Sequence, residues 1–129
     1  MIDFENGSVF KLTHTDGFTS EKMISPLMVP GETFLDEYRT LRDVVVFTNK
    51  RIICVNVQGV TGKKKDFTSI PYSRIQLFSV ETAGPFDMDS ELQVNISSVG
   101  QITFEFSGFC NVVAIGQAIS TCIFNSSFQ

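Results

Sequence analysis

The sequence predicts a mainly β domain followed by one C-terminal α-helix, and three observations lead there. From Thr33 onward, short segments rich in Val, Ile and Phe recur between turn signals, the pattern of an all-β sheet or barrel. In the last two segments the alternation is clean. Leu92, Val94 and Ile96 face one way and Gln93, Asn95 and Ser97 the other, while Ile102, Phe104 and Phe106 alternate with Thr103 and Glu105. Over Phe109–Phe124 the period then changes. Val112, Ile115, Ile119 and Cys122 follow a helical spacing that puts them on one side of a helix.

Taken in order, residues 1–18 show neither period and read as a loosely structured N-terminal arm, with one domain from residue 19 to residue 129. Ser20–Met28 can form a short helix, which Pro26 interrupts and Pro30-Gly31 ends. The candidate strands are Thr33–Leu41, Val44–Phe47, Arg51–Val57, Asp66–Ile70, Ile75–Val80, Leu92–Ser97 and Ile102–Phe106, about seven in all. Val99-Gly100 lies between the last two, which should pair as an antiparallel hairpin. The helix that follows is poor in charge, because from Leu92 to the C-terminus Glu105 is the sole charged residue. Such a helix suits burial beneath other elements or in a subunit contact.

Composition narrows the function classes. A chain of 129 residues suits one domain, which at this length buries roughly two-thirds of its unfolded surface. Hydrophobic residues make up 43%, with 13 Phe and no Trp, as in a globular protein. Fourteen acidic against 10 basic residues give a net charge of -4, which disfavours nucleic acid, whose phosphates need clustered Lys and Arg. Cys54 and Cys122 lie in apolar runs and, with Cys110, make an odd number, which suits a reducing cytoplasm. The opening MIDFENGSVFKLTH carries acid where a signal peptide carries base, and no apolar run reaches the length of a membrane span. Secretion and spanning are not expected.

Between Leu41 and Val94 the motifs Leu41-Arg42-Asp43, Phe47-Thr48-Asn49-Lys50-Arg51, Gln58-Gly59, Thr61-Gly62-Lys63-Lys64, Ser69-Ile70-Pro71-Tyr72, Phe78-Ser79-Val80-Glu81-Thr82-Ala83-Gly84 and Phe86-Asp87 follow an earlier Pro30-Gly31-Glu32. With these motifs the chain resembles the bacterial pleckstrin-homology (PH-like) domain family over roughly residues 27–123. The resemblance implies a PH-like bent β-barrel with a C-terminal helix, no enzymatic activity, a cytoplasmic location and assembly into a ring of about five subunits. Family members carry Glu and Lys on the outer face of that helix. Here Gly116, Gln117, Ser120 and Thr121 stand in that region.

The run GVTGKKK, Gly59–Lys65, raises the question of a phosphate site. A P-loop needs glycine where Val57 stands, Ser or Thr where Lys64 stands, and a helix afterwards, whereas the strand-like DFTSI follows. The glycines are read as a tight turn, and Lys63, Lys64 and Lys65 as a solvated tip able to attract an anion weakly. Arg39–Asp43 has two arginines beside an aspartate and no lysine cluster, so the signature of phosphoinositide-binding PH domains is not met. Asp87, Asp89 and Glu91 alternate as at the start of a calcium loop, but Leu92 and Ser98 replace its glycine and its distant glutamate. A turn with ion pairing is preferred. His14, the sole histidine, falls in the arm, and the cysteines lack zinc-site spacing, so neither a catalytic device nor a metal site is expected. Met23 and Met28 are read as core.

The expected function is a non-catalytic interaction or assembly module that self-associates into a ring and has an unidentified protein partner, with no cofactor, no nucleic acid and no strong membrane binding. The alternative is an anionic-ligand or lipid head-group site at Lys63–Lys65, and a hydrolase stands third.

Overall fold

The computed structural model describes residues 8–126 apart from Asp87 and Phe109. Eight strands form one sheet in the order β5-β4-β3-β2-β1-β8-β7-β6. They are β1 Ser8–His14, β2 Phe34–Arg39, β3 Val44–Thr48, β4 Arg51–Gln58, β5 Lys64–Pro71, β6 Ile75–Glu81, β7 Ser90–Ile96 and β8 Gly100–Phe106. A one-turn helix α1, Glu21–Ile24, runs into a 3-10 turn over Ser25–Leu27, and the helix α2 spans Val112–Ser126. All seven expected strands are present, with ends shifted by a few residues.

The eighth strand, β1, corrects the reading of a loose arm for Ser8–His14, while residues 1–7 of that arm lie outside the described residues. It pairs parallel with β8 and antiparallel with β2, with an irregularity between Val9 and Leu12 where Lys11 takes a φ of 55. Broken alternation hides this strand from a periodicity argument. Leu12 is nevertheless fully buried.

One core joins every strand. Leu12, Tyr38, Phe47, Cys54, Ile70, Ile75, Leu92 and Phe104 share it with Val112, Ile115 and Ile119 of α2. Residues from the two terminal strands, Ile70 of β5 and Ile75 of β6, meet in that core, so the sheet bends round upon itself as the expected PH-like barrel does. The apolar runs of β3 and β4 are continuous because both their faces are covered. Val44, Val46, Ile53 and Val55 form a second cluster under Ile24, with Met23, Met28, Phe34 and Phe67 packed against it. Met23 and Met28 are half-buried there, as expected.

The segment that carries α1 is fastened by Glu37 of β2, whose buried carboxylate accepts bonds from Thr15 Oγ1, Thr19 N and Oγ1, and Ser20 N and Oγ. Helix α2 crosses β6 at Gly116, where a Cβ would meet Val80 Cγ1 at 3.1 Å. Glycine costs a helix about 1 kcal/mol relative to alanine. The close crossing explains its presence.

Candidate functional site

Six of the family motifs fall into two groups, one at each end of the β3–β4 ladder, while Phe78–Gly84 runs along and beyond β6. At the Thr48–Arg51 end, Glu32 is buried and receives a fork from Arg51, Nε to Oε2 at 2.9 Å and NH2 to Oε1 at 2.9 Å. Thr48 Oγ1 and Val29 N donate to the same carboxylate at 2.7 and 3.1 Å. Arg51 also donates to Leu27 O and to Ser69 Oγ. Asn49 accepts from Thr33 N at 2.8 Å and donates to Gly31 O at 3.0 Å, while Tyr72 OH donates to Thr48 O at 2.7 Å. Pro30-Gly31-Glu32, Phe47–Arg51 and Ser69–Tyr72 are therefore one latch that ties the N-terminal cover to the barrel. Burial would raise the Glu32 pKa, yet the bonds from Arg51, Thr48 and Val29 hold it below 4.5.

At the other end, Gly59 and Gly62 take φ of 78 and 69, which side chains rarely adopt, and turn β4 into β5. A strand follows GVTGKKK, as the turn reading requires. Lys64 and Lys65 belong to β5, opposite Gln58 and Val57, so of the lysines expected at the tip only Lys63 lies in the turn. All three are exposed. Arg42 NH2 donates to Gly59 O at 2.6 Å and Asn56 Nδ2 to Asp43 Oδ1 at 2.9 Å. The β2–β3 turn is thereby held against the lysine hairpin, and Arg42 joins its positive end.

A third feature has no counterpart in the sequence reading. Between α2 and the β2–β3 side of the barrel lies a cleft of about 430 Å³, lined among others by Leu35, Asp36, Phe47, Tyr72, Ala118 and Thr121. Beside it runs a chain of hydrogen bonds. Cys110 Sγ donates to Tyr38 OH at 3.1 Å, Tyr38 OH donates to Asp36 Oδ2 at 2.6 Å, and His14 Nε2 lies 2.6 Å from Asp36 Oδ1. Burial, then the bonds to Asp36 and Cys110, raise the Tyr38 pKa far beyond its ordinary value. His14 is therefore anchored on β1 and does not belong to an irregular arm. Burial pushes the Cys54 thiol up to about 12, so it behaves as an inert core side chain.

Compared with known proteins, residues 3–123 match the family described as "Bacterial PH domain". The chain belongs to the bacterial PH domain family. A DUF1696 family protein with a pleckstrin-homology domain from Shewanella loihica PV-4 is 38% identical with a TM-score of 0.73, covering 89% of this chain and 99% of that one. The pleckstrin homology domain from Shewanella amazonensis SB2B is 41% identical with a TM-score of 0.58, over 80% and 84% of the two chains. The uncharacterized protein YjqA of Bacillus subtilis is 49% identical over 77 residues, 60% of this chain. The match spans 62% of the length of YjqA.

Asp87 lies outside the described residues, and among those described no group of three His, Cys, Asp or Glu side chains converges on a metal position. No helix among them is long and apolar enough to cross a membrane. Glu91 stands opposite Glu81 on one side and Glu105 on the other, a row of like charges on the outer face of β6, β7 and β8. The cleft and the His14–Asp36–Tyr38–Cys110 chain escaped the sequence reading because their partners lie 22 and 72 residues apart. The alternation of β2, which puts Asp36 and Tyr38 on one face, was the sole local signal.

Proposed function

We propose that this bacterial PH domain is a non-catalytic, cytoplasmic interaction module that assembles with copies of itself into a closed ring and presents that ring to a protein partner. The observation that carries this reading is the contrast between the two strands that end the sheet. β5 has Lys64, Lys65 and Pro71, residues that discourage further pairing. β6, IQLFSVE, has neither Lys nor Pro, and its Leu77 is 65% exposed. Beside it the outer face of α2 exposes Val113 and Phe124, each 59%, with no charge on the helix. The charge-poor helix thus buries one face in its own chain and leaves the other to solvent, where a neighbouring copy would cover it.

A head-to-tail contact that repeats about an axis closes into a ring, whereas one that fails to close grows into a filament. Closure removes both the open edge and the apolar helix face from water. Light scattering at micromolar concentration is expected to give one species several times the 14.4 kDa chain mass. The double variant Leu77→Lys, Val113→Glu is expected to be monomeric and still to unfold cooperatively, at a lower temperature than the assembled protein, since both side chains are exposed in the single chain and association adds to apparent stability. A monomer for the unaltered protein rejects the reading.

A second reading rests on Arg42, which its bond to Gly59 O brings to the lysine hairpin. Together with Lys63, Lys64 and Lys65 it makes a positive end that could take an anionic ligand or lipid head group. The net charge of -4 opposes long-range attraction to an anionic surface. Flotation with anionic liposomes near physiological salt is expected to show no robust binding. Strong flotation that disappears in the Lys63→Ala, Lys64→Ala, Lys65→Ala variant favours this second reading over the first.

A further inference from the structure

We propose that the cleft under α2 is a binding site for a small organic cation, a molecule with an apolar body and a protonated amine that donates to Asp36. The space exists because α2 turns small side chains toward it, Ala114 and Ala118, opposite the aromatic rings of Phe47 and Tyr72. At about 430 Å³ it falls within the size range of small-molecule pockets, and its walls are mostly apolar, as such pockets are.

Charge selects the ligand. Asp36 is the one charged side chain among the described residues that line the cleft, and none of these is Lys, Arg or His. An anion would meet a carboxylate with no cationic side chain in the lining to offset it, while a neutral apolar molecule would offer that carboxylate no donor. An ammonium answers both conditions, and in an apolar cleft the attraction is stronger than in water. Asp36 also has room for it. Oδ1 takes His14 Nε2 and Glu37 N, while Oδ2 takes Tyr38 OH. A carboxylate offers about four acceptor positions, so Oδ2 retains one. Bonds from β1 and from β2 itself hold the group still, as a preorganised site requires.

The test uses the whole chain and three probes that share one apolar body: hexylammonium, hexanol and hexanoate, titrated while amide and methyl shifts are followed by NMR. Hexylammonium is expected to saturate, with shifts at Phe47, Ile115 and Ala118, and to bind at least about tenfold more tightly than hexanol, a difference of 1.4 kcal/mol. Hexanoate is expected to bind more weakly still. Asp36→Asn should remove the preference for hexylammonium over hexanol, and Ala118→Phe should abolish binding of both by filling the cleft. The comparison of probes needs no variant, so it decides even where a variant folds poorly. Equal or tighter binding of hexanol or hexanoate, a preference that survives Asp36→Asn, or no saturable binding by any probe overturns the proposal.

Discussion

Arg51→Ala is expected to destabilise the protein by about 3–5 kcal/mol, the cost of leaving a buried charge without its partner. Glu32 is the charge left behind, since its side chain is wholly buried and both its oxygens bond to the guanidinium. The same substitution releases Leu27 O and Ser69 Oγ, which ties the loss to the N-terminal cover as well as to the barrel. A domain of this size has roughly 5–15 kcal/mol in total, so the variant stands close to unfolding. Urea denaturation of Arg51→Ala, Glu32→Ala and the double variant measures this. The double variant should lose clearly less than the sum of the single ones, because each single change already removes the shared interaction. A loss for Arg51→Ala near that of an exposed pair, about 1 kcal/mol or less, would refute the latch.

Glu37→Ala is expected to cost at least ~1–3 kcal/mol, the cost of a buried donor left without an acceptor. That donor is the backbone N–H of Ser20; the Thr19 N–H is partly buried, and the Thr15 hydroxyl can turn to Gly17 O. Ile24 would lose its mooring on the second cluster, and exchange of the Thr19 and Ser20 amides should accelerate most. The same carboxylate links stability to acid. Burial would raise the Glu37 pKa, but the bonds from Ser20, Thr19 and Thr15 hold it below 4.5, as Arg51, Thr48 and Val29 do for Glu32. A depressed carboxyl stabilises the fold fully above its unfolded value. That contribution is lost as pH falls below about 4.5 through the native values. Thermal melts from pH 7 to pH 3 should therefore steepen in their decline below pH 4.5, and Glu37→Ala should flatten that decline. An equal decline in both proteins would show that Glu37 is not the linked group.

The strands from Phe34 onward and the C-terminal helix were legible because each either repeats its period over several residues or, as in β3 and β4, is an apolar run between turn signals. Alternation in β7 and β8 and the helical spacing of Val112, Ile115 and Ile119 report a buried side directly. The strand β1 was not legible, since the irregularity near Lys11 breaks its alternation and its partners β2 and β8 lie far along the chain. The lysines show a finer limit. Sequence separates a turn from a P-loop by spacing, but which lysines belong to the strand depends on how Gln58 and Lys64 pair.

By itself the sequence determined the succession of elements from Phe34 onward, the turn at Gly59–Gly62 and the family, because these follow from local patterns, from backbone freedom and from short motifs. Only the tertiary structure decided what the motifs do. Glu32 and Arg51, 19 residues apart, become a latch when the β3–β4 turn brings them together. It also decided that Asp36 faces a cleft, because His14, Tyr38 and α2 reach it from three separate parts of the chain. The physical reason is one of range: propensity acts within a few residues, whereas buried charges and cavities are made by groups that meet only after the sheet has bent round its core.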